Sequence, residues 1–307
     1  MEKLAFIFPG QGSQYVGMCK DFYEDSSEVR QIFDIADRAG RVCLEDICFE
    51  ENDLLGQTEY TQIAMLTCEL AILSQVEKAG YKAGMCAGLS LGEYAALKAC
   101  RALDYEELFT LIRKRGIYMQ NAYPVGGAMT AVLGLDEKEV EQCCDQISGQ
   151  VSVANYNCPG QIVITGKDTA VKAAAEACME KGAKKCIPLR VSGPFHSELL
   201  KDAADRLTED LKEIKFDKPL IPYICNCEAR EVTDENEIAG LLGRQLTASV
   251  RWQQSMEYML SKGIHTFIEM GPGRTLAGFA RRIDPEAKVI SIQSLKDLEC
   301  LKEELPL

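Results

Sequence analysis

The segment Gly88–Gly92, with the sequence GLSLG, constrains the fold of this chain more than any other. A short apolar stretch, Met85–Ala87, precedes it, and a stretch rich in helix formers, Glu93–Cys100, follows it. This context is typical of a nucleophile elbow, a tight strand-to-helix turn that exposes the hydroxyl of a serine, here Ser90. The flanking glycines leave room for the neighbouring backbone, and the helix N-terminus favours developing negative charge. A G-x-S-x-G pattern also arises by chance in glycine-rich turns, so a catalytic serine requires partners elsewhere.

Short apolar strands separated by helices predict an α/β protein with a mostly parallel sheet covered on both faces. The strands of this body are predicted at Leu4–Phe8, Met85–Ala87, Leu220–Cys225 and Thr266–Met270. Its helices are predicted at Ser26–Ala39, Thr61–Lys78, Asp104–Gln120, Glu237–Leu246, Trp252–Lys262 and Thr275–Ile283, with a further helix that Ser197 caps.

The middle of the chain, after the hinge-like segment Tyr123–Gly127, has a different order of predicted strands and helices. Its elements are predicted at Ala128–Leu133, Asp136–Ile147, Val151–Tyr156, Gln161–Thr165, Asp168–Lys181 and Cys186–Leu189. The resulting order, β-α-β-β-α-β, is the ferredoxin-like pattern. We therefore expect a catalytic body formed by residues 1–123 and 197–307, with an inserted ferredoxin-like subdomain at 124–196.

Composition excludes several classes of function. The 307 residues, 47% of them apolar, suffice for a large core, and the net charge of −13 argues against nucleic acid or an anionic membrane as the main partner. No signal peptide or membrane-spanning stretch is expected. The 14 cysteines are scattered and only two histidines accompany them, so neither a zinc site nor a disulfide framework is expected. The simplest interpretation is a protein of the reducing cytoplasm.

A serine nucleophile needs a base, and the two histidines are the main candidates. His265 opens a predicted strand, whereas His196 lies in a proline-containing loop at the start of a helix, where catalytic residues are frequent. We therefore predict His196 as the base, and its place after Ser90 fits an α/β-hydrolase-like body. The group that orients it stays open: Asp202, Asp205, another carboxylate or a backbone carbonyl could serve.

Arg115 is a second unusual residue. It falls on the apolar face of the helix Asp104–Gln120, seven residues after Leu108. A charge there is costly unless it is paired. The arginine is therefore either a snorkelling or internally paired side chain, or a guanidinium fork that binds a carboxylate ligand.

These residues belong to motifs through which the chain resembles the malonyl-CoA:acyl carrier protein transacylases of fatty acid synthesis. The resemblance covers nearly the whole length. The motifs, in order, are FPGQGSQ (Phe8–Gln14), GLSLGEY (Gly88–Tyr94), RGIYMQ (Arg115–Gln120), NYNCPGQIVI (Asn155–Ile164), SGPFHS (Ser192–Ser197), VRW (Val250–Trp252) and EMGPG (Glu269–Gly273).

The resemblance implies a catalytic pair. Ser90 would carry the acyl group, and His196 would be its base, oriented by a backbone carbonyl near Val250–Arg251. The backbone N–H groups of Gln11 and Leu91 would form the oxyanion hole.

The resemblance also implies a substrate pocket between the insert and the hydrolase-like body. Arg115 would hold the free carboxylate of a malonyl group, and Met119 and Asn157 would line the pocket. One departure is Leu89, where the family usually has histidine; it puts in doubt a pocket contact but not the catalytic pair. Another is Arg251, where relatives often carry glutamine.

The implied chemistry is ping-pong transfer of a malonyl group from malonyl-CoA to the thiol of acyl carrier protein, without a metal or redox cofactor. Carrier proteins are acidic, so the insert residues Lys184, Lys185 and Arg190 form either a docking patch or an ordinary solvated face. The alternatives are a serine hydrolase or thioesterase, a non-catalytic docking module, and an acyltransferase that serves polyketide synthesis. A monomer is the simplest expectation.

Overall fold

The computed structural model describes residues 4–191 and 193–306, and it contains two β-sheets with helices packed against them. Ser192, the first residue of the motif SGPFHS, lies outside the described residues. The predicted α/β class, with a mostly parallel sheet and a second, separate sheet, is confirmed. The proposed boundaries of the insert, at residues 124 and 196, stay predictions.

The larger sheet forms the body of the protein. Its strands are β1 (Leu4–Phe8), β2 (Met85–Gly88), β7 (Tyr223–Ile224), β8 (Glu231–Val232), β9 (Thr266–Met270) and β10 (Lys288–Ile292). Their order is β10-β9-β1-β2-β7-β8, and every pairing is parallel except that between β7 and β8. The apolar sequence of β1 and the fully buried residues of β9 suit this sheet, because helices bury both of its faces.

The smaller sheet is antiparallel and is built by the middle of the chain. Its strands are β3 (Gly127–Leu133), β4 (Val151–Cys158), β5 (Gln161–Lys167) and β6 (Lys185–Pro188), in the order β4-β5-β3-β6. Two helices, α7 (Glu137–Asp145) and α8 (Asp168–Glu180), complete the predicted β-α-β-β-α-β order. Asp136 and Glu139 form a capping box at the start of α7, as their spacing predicts.

The remaining helices belong to the body of the protein. They are α1 (Lys20–Asp25), α2 (Ser27–Gly40), α3 (Leu44–Phe49), α4 (Thr58–Lys78), α5 (Gly92–Ala99), α6 (Tyr105–Ala122), α9 (Lys201–Lys212), α10 (Glu235–Gln245), α11 (Trp252–Ser261), α12 (Thr275–Ile283) and α13 (Leu295–Glu304). The central one is α4, which is buried on all sides for most of its length and packs against α2, α5 and α6.

Two local predictions are wrong. Ser197 does not cap α9; its hydroxyl donates to the carbonyl of Pro194 at 2.7 Å, and a turn of 3₁₀ helix precedes α9. The strand predicted at Leu220–Cys225 is only two residues long, because Leu220 is exposed and its N–H bonds to Cys100 instead of to a strand.

The parallel order brings several motifs together, because the carboxyl ends of parallel strands meet at one edge of a sheet. The loop that contains Gln11 follows β1, the elbow with Ser90 follows β2, and the GPG segment follows β9. The short β7 ends nearby, and Asn226 follows it. This edge of the sheet is therefore where a site can form.

Glu69, in the middle of α4, is a buried carboxyl group for which no hydrogen-bond partner is found among the described residues. Burial raises its pKa well above the ordinary value of 4.5, so folding takes up a proton. The stability that depends on this proton is present at low pH and is lost as the pH rises above 4.5.

We expect Glu69→Met, which keeps the volume and removes the carboxyl group, to raise the free energy of unfolding at pH 7 by about 1–3 kcal/mol. Denaturant unfolding at several pH values measures this, and the advantage of the variant should shrink toward pH 4. An advantage that is independent of pH, or a loss of stability, would contradict the prediction.

Candidate active site

The turn at Ser90 has the strained geometry of a nucleophile elbow. The φ angle of Ser90 is 55°, in the left-handed region. The two glycines are required by close backbone contacts: a Cβ on Gly88 would lie 1.9 Å from Gly92, and one on Gly92 would lie 2.3 Å from the carbonyl oxygen of Phe8. The turn holds the hydroxyl of Ser90 in the cleft at the N-terminus of α5.

Ser90 and His196, 106 residues apart, meet at this turn. The Oγ of Ser90 lies 2.8 Å from Nε2 of His196. On the other side of the ring, Nδ1 lies 2.9 Å from the backbone carbonyl of Gln245. A carbonyl only accepts hydrogen bonds, so Nδ1 carries the hydrogen and Nε2 is free to accept the proton of Ser90.

The carbonyl that orients His196 differs from the expectation. It was predicted near Val250–Arg251 but belongs to Gln245, at the end of α10. The backbone of Val250 pairs with Ala154 and Tyr156 of β4 instead, and Arg251 bonds to Asn226. Val250–Arg251 therefore link the two sheets and do not hold the base.

His196 is buried, and its surroundings keep it neutral. Burial, and to a lesser extent the positive charge of Arg115, lowers its pKa from 6.5 to about 4, although backbone contacts with Gln245 and Ala248 act in the opposite direction. A neutral imidazole is the form that can accept a proton from Ser90 at pH 7.

We expect the imidazole of His196 to titrate with a midpoint near pH 4, well below its ordinary value of 6.5. Because the chain has only two histidines, NMR of the rings measures this directly, and His265→Asn identifies the other signal. A midpoint above pH 6 for His196 would contradict the electrostatic picture.

Of three backbone N–H groups at the cleft near Ser90, one has an acceptor and two have none among the described residues. The N–H of Ser90 donates to Oδ1 of Asn226 at 2.6 Å, so it is not available to a substrate. The N–H of Leu91, and that of Gln11 in the loop after β1, have no acceptor among the described residues. Both residues line the cleft together with Ser90, which is the arrangement that an oxyanion hole needs.

Arg115 lies buried behind Ser90. One terminal nitrogen donates to Oε1 of Gln62 at 2.7 Å; the other donates to Oε1 of Gln245 at 2.9 Å and to Oγ of Ser90 at 3.1 Å. Its hydrogen-bond partners are all neutral, and within residues 4–191 and 193–306 no carboxylate oxygen lies within 4.0 Å of its nitrogens. Its Nε also lacks a partner there. This buried cation beside the nucleophile is therefore suited to an anionic ligand.

The cleft has a volume of about 210 Å³ and lies between the loops that follow β1 and β2 and the strands β3, β4 and β5 of the smaller sheet. Met119, Asn157 and Leu89 are among the residues that line it, while the contact of Met119 and Asn157 with a substrate stays a prediction. The Oδ1 of Asn157 is buried without a partner among the described residues, so it is free to bind a ligand. Thr275, the first residue of α12 after the GPG segment, also lines the cleft.

The structure adds four buried residues that sequence reasoning missed: Gln62, Glu93, Asn226 and Gln245. Glu93 belongs to the GLSLGEY motif, and Gln62 is one of the buried residues of α4. No sequence motif or periodic pattern marked Asn226 or Gln245, which lie after the strand β7 and at the end of the helix α10. Burial raises the pKa of Glu93 to about 7, while hydrogen bonds from Gln245 and Asn226 and the charge of Arg115 act to lower it.

Other kinds of site are not found in the part of the chain that the structure describes. No group of three or more histidine, cysteine, aspartate or glutamate side chains is placed to hold a metal ion. No helix there has both the length and the apolar character needed to cross a membrane.

Comparisons with known proteins identify the family to which the chain belongs. The family model described as acyl transferase domain matches residues 5–286. The chain is 41% identical to the malonyl CoA-acyl carrier protein transacylase of Bacillus subtilis, over 99% of each chain. It superimposes on the crystal structure of MCAT from Streptococcus pneumoniae with a TM-score of 0.95 and 43% identity, over 99% of this chain and 100% of the other. It also superimposes on a structure of a type II PKS acyl-carrier protein in complex with its malonyl-transacylase. The TM-score is 0.96 and the identity 35%, over 99% of this chain and 100% of the other.

Proposed function

The chain belongs to the acyl transferase family, and on this premise we propose that it transfers the malonyl group of malonyl-CoA to the phosphopantetheine thiol of acyl carrier protein. The observation that carries the proposal is the buried, unpaired guanidinium of Arg115, 3.1 Å from the oxygen of Ser90, which is in turn 2.8 Å from His196. A nucleophile beside a fixed cation selects an acyl group that ends in a carboxylate.

In the first half-reaction, Ser90 attacks the thioester carbonyl of malonyl-CoA while Nε2 of His196 takes its proton. The N–H groups of Gln11 and Leu91 stabilise the tetrahedral oxyanion, each by about 3 kcal/mol. The bond from carbon to sulfur then breaks, and the CoA sulfur leaves with the proton from His196. The product is malonyl-Ser90.

In the second half-reaction, His196 takes the proton of the carrier thiol, and the sulfur attacks the ester carbonyl of malonyl-Ser90. The same two N–H groups hold the oxyanion. The bond to the Ser90 oxygen breaks, and that oxygen regains its proton from His196. Malonyl-carrier protein leaves, and the enzyme returns to its starting state.

Substrate choice rests with Arg115. Esterification of Ser90 replaces the hydroxyl that now accepts a bond from Arg115. The malonyl carboxylate, a few bonds further along, then takes up the free N–H groups of the guanidinium. An acetyl group would leave the same cation buried and unpaired, which is costly.

The test is to mix the protein with malonyl-CoA and holo-acyl carrier protein and to measure malonyl-carrier and free malonate. We expect malonyl-carrier to predominate and acetyl-CoA to react poorly. A hydrolase or thioesterase would release malonate whether or not carrier is present, and a docking module would release neither product. Either result would overturn the proposal.

The carrier docks, on this proposal, beside the basic residues of the insert. Lys184, Lys185 and Arg190 are all exposed, and Arg190 lies between Leu189 and Val191, which line the cleft. We expect Arg190→Glu to raise the KM for the carrier several-fold and to leave acylation by malonyl-CoA unchanged. Lys172→Glu, at an exposed site on α8 that does not line the cleft, is the matched control. An unchanged carrier KM in Arg190→Glu would contradict docking there.

We further propose a cytoplasmic monomer whose product feeds fatty acid synthesis. The cysteines of the described residues are all free thiols, which fits a reducing compartment. The alternative, supply of a polyketide carrier, rests on the likeness to the complex of a type II PKS acyl-carrier protein with its malonyl-transacylase. Comparing the rates with the two kinds of carrier protein from one organism distinguishes the alternatives.

A further inference from the structure

A single buried carboxyl group, that of Glu93, lies between the residues that hold the nucleophile and those that hold the base. It belongs to the first turn of α5, three residues after Ser90, and it does not line the cleft. Its Oε2 accepts two hydrogen bonds, from the backbone N–H of Asn226 at 3.2 Å and from Nε2 of Gln245 at 2.6 Å. Its Oε1 has no partner among the described residues.

The first branch of this network holds the nucleophile. The side chain of Asn226 spans the elbow: Nδ2 donates to the carbonyl of Gly88 at 2.7 Å, and Oδ1 accepts from the N–H of Ser90 at 2.6 Å. These bonds fix the backbone on both sides of the strained φ of Ser90. Asn226 itself lies in a loop after the two-residue strand β7, so its own position needs support.

The second branch holds the base. The backbone carbonyl of Gln245 orients His196, and its side-chain Nε2 donates both to Glu93 and to the carbonyl of Ser90 at 2.9 Å. Gln245 is the last residue of α10, where helices fray unless other contacts hold them. The bond to Glu93 therefore acts together with the bond to the Ser90 carbonyl in tying this helix end to the elbow.

We propose that Glu93 is a positioning residue for the reaction: by accepting from both Asn226 and Gln245 on one oxygen, it fixes the distance between Ser90 and His196. The proposal deepens the proposed function, on which it rests for the identity of the reaction. Glu93 touches neither substrate nor reacting atoms. Its loss is expected to misplace the catalytic pair without weakening the binding of malonyl-CoA.

The experiment compares three variants after circular dichroism has verified their folding. Glu93→Met keeps the volume and removes the acceptor, Glu93→Gln keeps an acceptor oxygen, and Glu69→Met removes an equally buried carboxyl group outside the network. The first readout is the rate at which phenylmethylsulfonyl fluoride modifies Ser90. In that reaction the Ser90 oxygen bonds to sulfur, fluoride leaves, and His196 takes the proton, so only the catalytic pair is needed.

We expect Glu93→Met to lower this rate about 10- to 100-fold, Glu93→Gln to recover most of it, and Glu69→Met to match the wild type. With malonyl-CoA, we expect Glu93→Met to lower kcat of acylation while KM stays within about twofold of the wild type. Equal rates in Glu93→Met and Glu69→Met, or a rise in KM alone, would overturn the proposal.

Gln245→Met is a second test in case Glu93→Met does not fold. It keeps the backbone carbonyl that contacts His196 and removes the side-chain amide, which reaches Glu93, the carbonyl of Ser90 and Arg115. We expect a similar loss of reactivity toward the sulfonyl fluoride, and an unchanged rate would overturn the proposal. A failure of the proposed function is seen separately, as a wild-type protein that reacts with the sulfonyl fluoride but not with malonyl-CoA.

Discussion

Replacing His196 with asparagine is expected to slow the acylation of Ser90 by malonyl-CoA about 10²- to 10⁴-fold, the range that loss of a general base produces. Asparagine suits the test because it tolerates a left-handed backbone, and the φ of His196 is 57°. The burst of CoA released in a rapid-mixing experiment measures the rate.

The matched control is His265→Asn, because His265 is exposed and is the other histidine of the chain. It should acylate at the wild-type rate. Comparable rates in the two variants would mean that another group accepts the proton of Ser90, and the catalytic pair would then be wrongly assigned.

The second large effect concerns specificity. We expect Arg115→Gln to cost about 2–5 kcal/mol in the acylation transition state for malonyl-CoA, because the substrate carboxylate would be buried without its cation. Acylation by acetyl-CoA should rise relative to malonyl-CoA. The pKa of His196 should also rise, since the charge of Arg115 now lowers it.

The control for this variant is Arg113→Gln, two residues away on α6. Arg113 forms an ion pair with Glu59 at 3.0 Å, whereas Arg115 bonds to the nucleophile, Ser90. Measuring kcat/KM with both thioesters separates binding of the carboxylate from general damage. If Arg115→Gln lowers both thioesters equally, the guanidinium supports the structure and does not select the substrate.

Much of the fold could be predicted from the sequence because its elements carry strong local patterns. The all-apolar strand β1 and the largely apolar strand β9 predicted a buried parallel sheet, and the glycines around Ser90 predicted a turn that only Gly88 and Gly92 permit. The strand β7 was predicted too long because apolar residues precede it that are not buried in the sheet, as the exposed Leu220 illustrates.

The residues of the candidate site also fall into those that the sequence could predict and those that it could not. Motifs predicted Ser90, His196 and Arg115 as neighbours, and the structure brings both His196 and Arg115 within hydrogen-bond distance of Ser90, while their roles stay proposals. The carbonyl partner of His196 was misplaced because any residue offers a backbone carbonyl, so its identity depends on how α10 meets the loop. Buried amides such as Asn226 leave no periodic pattern, and only packing reveals them.

The central claim is that Ser90 carries the acyl group as a covalent intermediate. Its most direct test is intact-protein mass spectrometry after mixing with malonyl-CoA in the absence of carrier protein, on the wild type and on Ser90→Ala. We predict that one malonyl group is added to each wild-type chain, located at Ser90 by peptide mapping, and that none is added to the variant. An unmodified wild type, or an adduct that persists in Ser90→Ala, would contradict the account.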